Sequence, residues 1–126
     1  MRMLMASAAL FLGLTTTLAQ AASDAFHVAY NVERADASKL SIDTCAEIAQ
    51  REAGDYGYVH SVDRTPGQLI VVSGGPAEGG ASFLVYCIAV DNKTAYVVQG
   101  IDYRRQKSDA GKLADRVHKA LLEAGK

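Results

Sequence analysis

Ser82-Phe83-Leu84-Val85-Tyr86-Cys87-Ile88-Ala89-Val90 carries no charge, no proline and no glycine. Aromatic and β-branched residues dominate it, which is the composition of a packed, pleated strand, and it reads as the longest strand of the chain. It also holds Cys87, one of two cysteines; the other is Cys45. A bond between them ties this strand to whatever element carries Cys45. Period-2 geometry then places Phe83, Val85 and Ala89 on the Cys87 side, and Leu84, Tyr86, Ile88 and Val90 on the other. Both sides are apolar.

Working outward, Gly74-Gly75-Pro76-Ala77-Glu78-Gly79-Gly80 reads as a mobile connection, and 69–73 as a strongly β-branched strand. Arg64-Thr65-Pro66-Gly67 is a turn signal that links this strand to a short one over 58–62. Downstream, Asp91-Asn92-Lys93 turns the chain into a strand over 94–99. Cys45 lies in a helical pattern. Ile42, Cys45, Ala46, Ala49 and Ala53 share one face, Ser41 is an N-cap, Asp43 suits the first turn, and Gly54 and Gly57 end the helix. Before it, Phe26, Val28, Tyr30 and Val32 alternate with His27, Ala29, Asn31 and Glu33, a half-buried strand with His27 on its polar side; 34–40 reads as a polar linker. Ser108 caps a final helix with an apolar stripe of Leu113, Val117, Ala120, Leu121 and Ala124. The order β-α-β-β-β-β-α predicts an α+β domain: a mainly antiparallel sheet of about five strands, two helices and one disulfide.

An apolar second sheet face needs a cover. Neighbouring strands are read as adding Ile70, Val72, Tyr96 and Val98 to Leu84, Tyr86, Ile88 and Val90. Antiparallel sheets with helices on one side normally turn a polar face to water. The leading expectation is intramolecular burial, with the second helix or a strongly coiled sheet over that face. The alternatives are an interface for a homodimer or a protein partner, with Leu84, Tyr86, Ile88 and Tyr96 as its candidate residues, or a pocket for a hydrophobic ligand.

Residues 1–21 read as a cleavable secretory signal: Arg2 in the n-region, an apolar stretch over 4–14, and Ala19-Gln20-Ala21 at the cut. The stretch is too short to serve as a stable membrane anchor. Its removal leaves 22–126 as a single domain, periplasmic or secreted. Arg2 leaves with it, so twelve basic residues face fourteen acidic ones, a formal net charge of −2. That balance gives no reason to expect nucleic acid as a partner. In an oxidising compartment the cysteine pair is a disulfide, and closing a loop of about 43 residues is worth roughly 4 kcal/mol.

Signals for chemistry are sparse. There is no H-E-x-x-H, G-x-S-x-G, S-x-x-K or C-x-x-C. His27 and His60 lie on separate strands; paired side by side, they would offer a transition metal two imidazoles with Asp63 or Asp102. His118, on the last helix, reads as exposed. Arg104 and Arg105, with Tyr103, form the one cationic cluster and a candidate clamp for a carboxylate or phosphate. The Ser73-Gly74-Gly75-Pro76 glycines do not lead into a helix N-terminus and lack the lysine of a phosphate loop. Asn92-Lys93-Thr94 matches a glycosylation sequon within a turn.

Phe26-His27-Val28-Ala29-Tyr30, Leu40-Ser41-Ile42 with Cys45, Val72-Ser73-Gly74-Gly75-Pro76 and Gln99-Gly100-Ile101-Asp102-Tyr103-Arg104 resemble small secreted bacterial proteins of an uncharacterised family. The resemblance spans most of 22–126. It implies a periplasmic setting and no particular mechanism. Together these readings predict a non-enzymatic binding or protein-interaction domain, of inhibitor or immunity type, that needs no cofactor. The alternative is a small-ligand or metal-binding protein that uses His27, His60 or Arg104 and Arg105.

Overall fold

The structure, a computed structural model, describes residues 26–103 and 109–126. The segment 1–21 read as a signal, Ser108, Arg104 and Arg105 lie outside the described residues. The elements run β1 (His27–Asp36), α1 (Ile42–Asp55), β2 (Val59–Thr65), β3 (Leu69–Gly75), β4 (Ala81–Val90), β5 (Lys93–Asp102) and α2 (Asp109–Ala124). The five strands form one antiparallel sheet in the order β1-β5-β4-β3-β2. The predicted class and element order hold.

Element ends moved where pairing extends a strand beyond its local signal. β1 takes in Arg34, Ala35 and Asp36 from the expected linker, because each finds a partner on β5 and Lys93 closes an ion pair with Asp36. Arg64 and Thr65 belong to β2, so the turn is 66–68, with Gly67 at φ 70°. Gly74 and Gly75 end β3, and Gly100, Ile101 and Asp102 end β5. β1, β4 and β5 are all ten residues long.

The β4–β5 turn is tighter than the expected Asp91-Asn92-Lys93. Val90 pairs with Lys93, so the turn is Asp91-Asn92 alone, at φ 49° and 58°. Positive φ at both positions is the two-residue hairpin geometry that Asp and Asn tolerate.

Both helices pack on one face. Ser41 caps α1 by accepting from the Thr44 N–H at 3.1 Å, and Gly57 at φ 86° ends it. Small residues (Ala46, Ala49 and Ala53) let α1 lie close to the sheet, and the Cys45–Cys87 disulfide joins it to β4 with Cα atoms 6.1 Å apart. α2 sits beside α1, over β5 and β1, and buries Leu113, Ala114, Val117 and Leu121. Phe83, Val85, Cys87, Ile70, Val72, Tyr96 and Val98 lie beneath the two helices and make the core. Ala89 is in phase with them but beyond the helices, and is exposed.

The close seating of α2 has a visible cause. A Cβ on Gly100 would stand 2.2 Å from the Ala110 carbonyl oxygen, so the first turn of α2 rests directly on the β5 backbone. Two residues on, the fully buried Asp102 accepts from the Ala110 and Gly111 N–H groups, both at 3.1 Å. A carboxylate at a helix N-terminus satisfies donors that the helix itself leaves unpaired and complements its dipole.

Candidate functional site

The second sheet face has no helix over it among the described residues. The expected intramolecular cover by α2 is therefore overturned, since α2 shares the Cys87 side with α1. Pairing defines this face row by row. Val32, Val97, Tyr86, Val71 and Asp63 form one line across all five strands. Tyr30, Gln99, Leu84, Ser73 and Ser61 form the next on one side, and Arg34, Ala95, Ile88, Leu69 and Thr65 the next on the other. The Ser61 and Ser73 hydroxyls meet at 3.4 Å.

Leu84, Tyr86 and Ile88 stand on this face as predicted, half-buried by their neighbours. Tyr96 does not. It pairs with Cys87 and is 1% exposed beneath the helices. Ile70, Val72 and Val98 are corrected in the same way; Leu69, Val71, Ala95 and Val97 take their places. For Tyr96 and Val98 the cause is the hairpin turn, and for Ile70 and Val72 it is the β3–β4 register, which sets Ile70 opposite Cys87. A three-residue turn would set Tyr96 opposite Ile88, whereas the two-residue turn sets it opposite Cys87, and a one-residue slip exchanges the faces.

β1 is inverted in the same sense. Tyr30 and Val32 are 69% and 63% exposed, while Ala29 and Ala35 pack toward the core. Ala29 and Ala35 pack where larger apolar side chains would push α2 off the strand, and Glu33, in phase with them, reaches His118 on α2. Phe26, just before β1, is in phase with Tyr30, and the Tyr103 hydroxyl reaches Ser82 Oγ at 3.3 Å at the same end of the sheet. Large apolar or aromatic side chains exposed among the described residues are Phe26, Tyr30, Val32, Val59, Val90, Tyr103 and Leu122. All but Leu122, which is on α2, belong to this face by register or phase.

The candidate metal ligands do not meet. His27 and His60 are on β1 and β2, the opposite edges of the sheet, about 19 Å apart at the usual strand spacing. Asp63 lies on the open face, Asp102 ends β5 with its carboxylate turned to the N-terminus of α2, and no cluster of three or more metal-ligating side chains occurs among the described residues. His118 is part-buried, not exposed, with Nε2 3.2 Å from Glu33 Oε1. The Arg104 and Arg105 candidates lie outside the described residues.

A concavity of about 500 Å³ runs beside Ser61, Ser73, Gly74 and Pro76. Its glycines answer to crowding: a Cβ on Gly74 would fall 2.0 Å from the Val59 carbonyl oxygen, and one on Gly75 2.5 Å from that of Ala81. His60 and Ser61 point to opposite faces of β2, so they do not act on one another. In the asparagine sequon, Thr94 is 1% exposed and its hydroxyl donates to the Leu40 carbonyl.

Two buried groups were not singled out from the sequence. The Tyr58 hydroxyl is buried without a hydrogen-bond partner among the described residues, and the ring packs edge-on against Phe83 and Tyr56. Burial, helped by Asp109 and Asp102, pushes this phenol far above its ordinary range. Burial, with Glu33 nearby, raises Tyr96 in the same direction.

Among the described residues no helix is long and apolar enough to cross a membrane. A family model described as "Family of unknown function (DUF6180)" matches residues 25–126. No curated protein and no solved structure matches the chain.

Proposed function

We propose, for a chain that belongs to the family of unknown function DUF6180, that it is an exported, non-catalytic interaction domain whose open sheet face holds a protein partner. One observation carries this reading: six of the seven large apolar or aromatic side chains exposed among the described residues stand on that face. Soluble monomers rarely expose a contiguous apolar patch of more than a few hundred Å². A five-stranded face is broad, and the concavity beside Ser61 and Ser73 is open to solvent, a shape that suits another protein's surface better than a small ligand, which needs an enclosing site. Blocking of a partner, in the manner of an inhibitor or immunity protein, is the mode of action such a flat contact surface supports. The buried disulfide is compatible with an oxidising compartment, and the leader-like run from Arg2 to Ala21 supports export.

The test is Ile88→Lys. On an open face the lysine reaches water along its own stem, so the melting temperature should stay within a few degrees of wild type while association is lost in light scattering and co-purification. In a covered core, the same change buries an unpaired charge and costs several kcal/mol. A large drop in melting temperature with association unchanged refutes the proposal.

A further inference from the structure

We infer that the occupant of the open face is a second copy of this chain, packed sheet on sheet about a two-fold axis parallel to the strands. This rests on the reading of that face as an interaction surface and adds the partner and its orientation.

The charges select the arrangement. Four charged residues fall on the open-face phase of the strands: Asp36, Lys93, Arg34 and Asp63. Asp36 and Lys93 satisfy one another at one end. Arg34 and Asp63 make no ion pair among the described residues, and they stand on opposite edge strands, Arg34 on β1 and Asp63 on β2. An axis parallel to the strands and over the central β4 lays β1 of one copy on β2 of the other. Each basic edge then meets an acidic edge, and symmetry makes the contact twice. Arg34 and Asp63 lie one row apart, about 7 Å along the strand, within reach of an arginine side chain. An in-plane axis across the strands instead lays β1 on β1 and sets the two arginines on the same edge. Complementary edges fix register in this way, and like charges disfavour the alternative.

The area suffices. Five strands at the usual spacing and seven to ten residues in length give a face of about 24 by 25 Å, or about 600 Å² in projection. Side chains roughen that projection, which brings the accessible area close to the roughly 800 Å² per partner of stable interfaces. Tyr86 and Ile88 on β4 lie on the axis and meet their own copies, and Val97 meets Val71 of the other copy. Such sheets pack about 10 Å apart, and where twist makes their strands cross near −30° the axis bisects that angle, about 15° from β4.

Analytical ultracentrifugation of the purified protein, with its disulfide intact, tests this. The expected result is a dimer with a dissociation constant of about 10 µM or tighter. Tyr86→Lys should give a folded monomer. Val32→Lys, at a position already exposed, should weaken the dimer at least tenfold and serves if Tyr86→Lys does not fold. Arg34→Asp should weaken it about tenfold, and Arg34→Asp with Asp63→Arg should restore it. A dimer untouched by both lysine variants overturns the inference, and a charge swap that restores nothing overturns the axis. A wild type still monomeric at about 100 µM overturns the second copy as well. If that monomer retains another protein which Val32→Lys releases, the interaction reading stands alone; if Tyr86→Lys collapses the monomer as a buried charge would, the interaction reading falls too.

Discussion

Reduction of the Cys45–Cys87 bond measures how much of this fold a single cross-link carries. The bond joins α1 to β4 across a sequence separation of 42, and both cysteines are 0% exposed. Reduction leaves every side chain in place, so the folded core changes little and the effect falls on the unfolded chain. Freeing a loop of about 43 residues returns roughly 4 kcal/mol of chain entropy to the unfolded state at 25 °C. Domains of this size hold about 5–15 kcal/mol in all, so the reduced protein stays folded in dilute buffer with a much smaller margin. With a urea slope of about 1–1.5 kcal/mol/M, the midpoint should fall by about 3 M. The corresponding drop in Tm is about 15–30 °C. The assay is urea unfolding followed by far-ultraviolet circular dichroism, with and without reductant. The slope should also steepen on reduction, because the uncrosslinked chain exposes more surface. A midpoint shift below about 1 M refutes the loop-closure argument, and two reactive thiols in the denatured, unreduced protein refute the bond itself.

Gly100→Ala drives a methyl group into the Ala110 carbonyl and strains the paired N–H bonds to Asp102; the expected cost is about 2–3 kcal/mol in urea unfolding, and an unchanged midpoint would show that α2 does not rest on β5 as described. Tyr58→Phe removes a buried hydroxyl that has no partner among the described residues, so it should leave stability unchanged or raise it by about 1 kcal/mol, and a loss of that size would show that the hydroxyl is hydrogen-bonded. Its pH dependence has a definite sign. A phenol whose folded pKa is raised stays protonated in the native state while the unfolded state ionises, so stability is full below pH about 10 and falls as the pH rises beyond it. The wild-type Tm should therefore decline more steeply between pH 9 and 11 than that of Tyr58→Phe, in which Tyr96 and Tyr56 still contribute a smaller decline; identical profiles would contradict this account.

Local physics made much of the molecule legible. The α1 face of Ile42, Cys45, Ala46, Ala49 and Ala53 was readable because burial repeats with the helical period, and its ends because Ser41 and Gly57 carry cap chemistry. β4 and its two faces followed from period 2, and the cysteine pair followed from parity and a leader-like N-terminal run. These are properties of a residue and its near neighbours in sequence, so composition and spacing by themselves determined the element order and the α+β class.

What the tertiary structure decided depends on distance in space. Whether Tyr96 lies beside Ile88 or Cys87 turned on one residue of hairpin length, and the sequence Asp91-Asn92-Lys93 allows both readings. β1 shows apolar alternation, yet its larger apolar side chains face away from the helices, and the helix side carries Ala29 and Ala35 with Glu33, which reaches His118 on α2. Asp102, a candidate metal ligand by residue type, is the buried acceptor that seats α2, a role created by a helix seven residues further on. The open face itself required knowing that both helices chose the same side, for an amphipathic stripe states that a helix must be covered and not by which surface. That choice is made by the shared core, where two adjacent helices bury each other as well as the sheet.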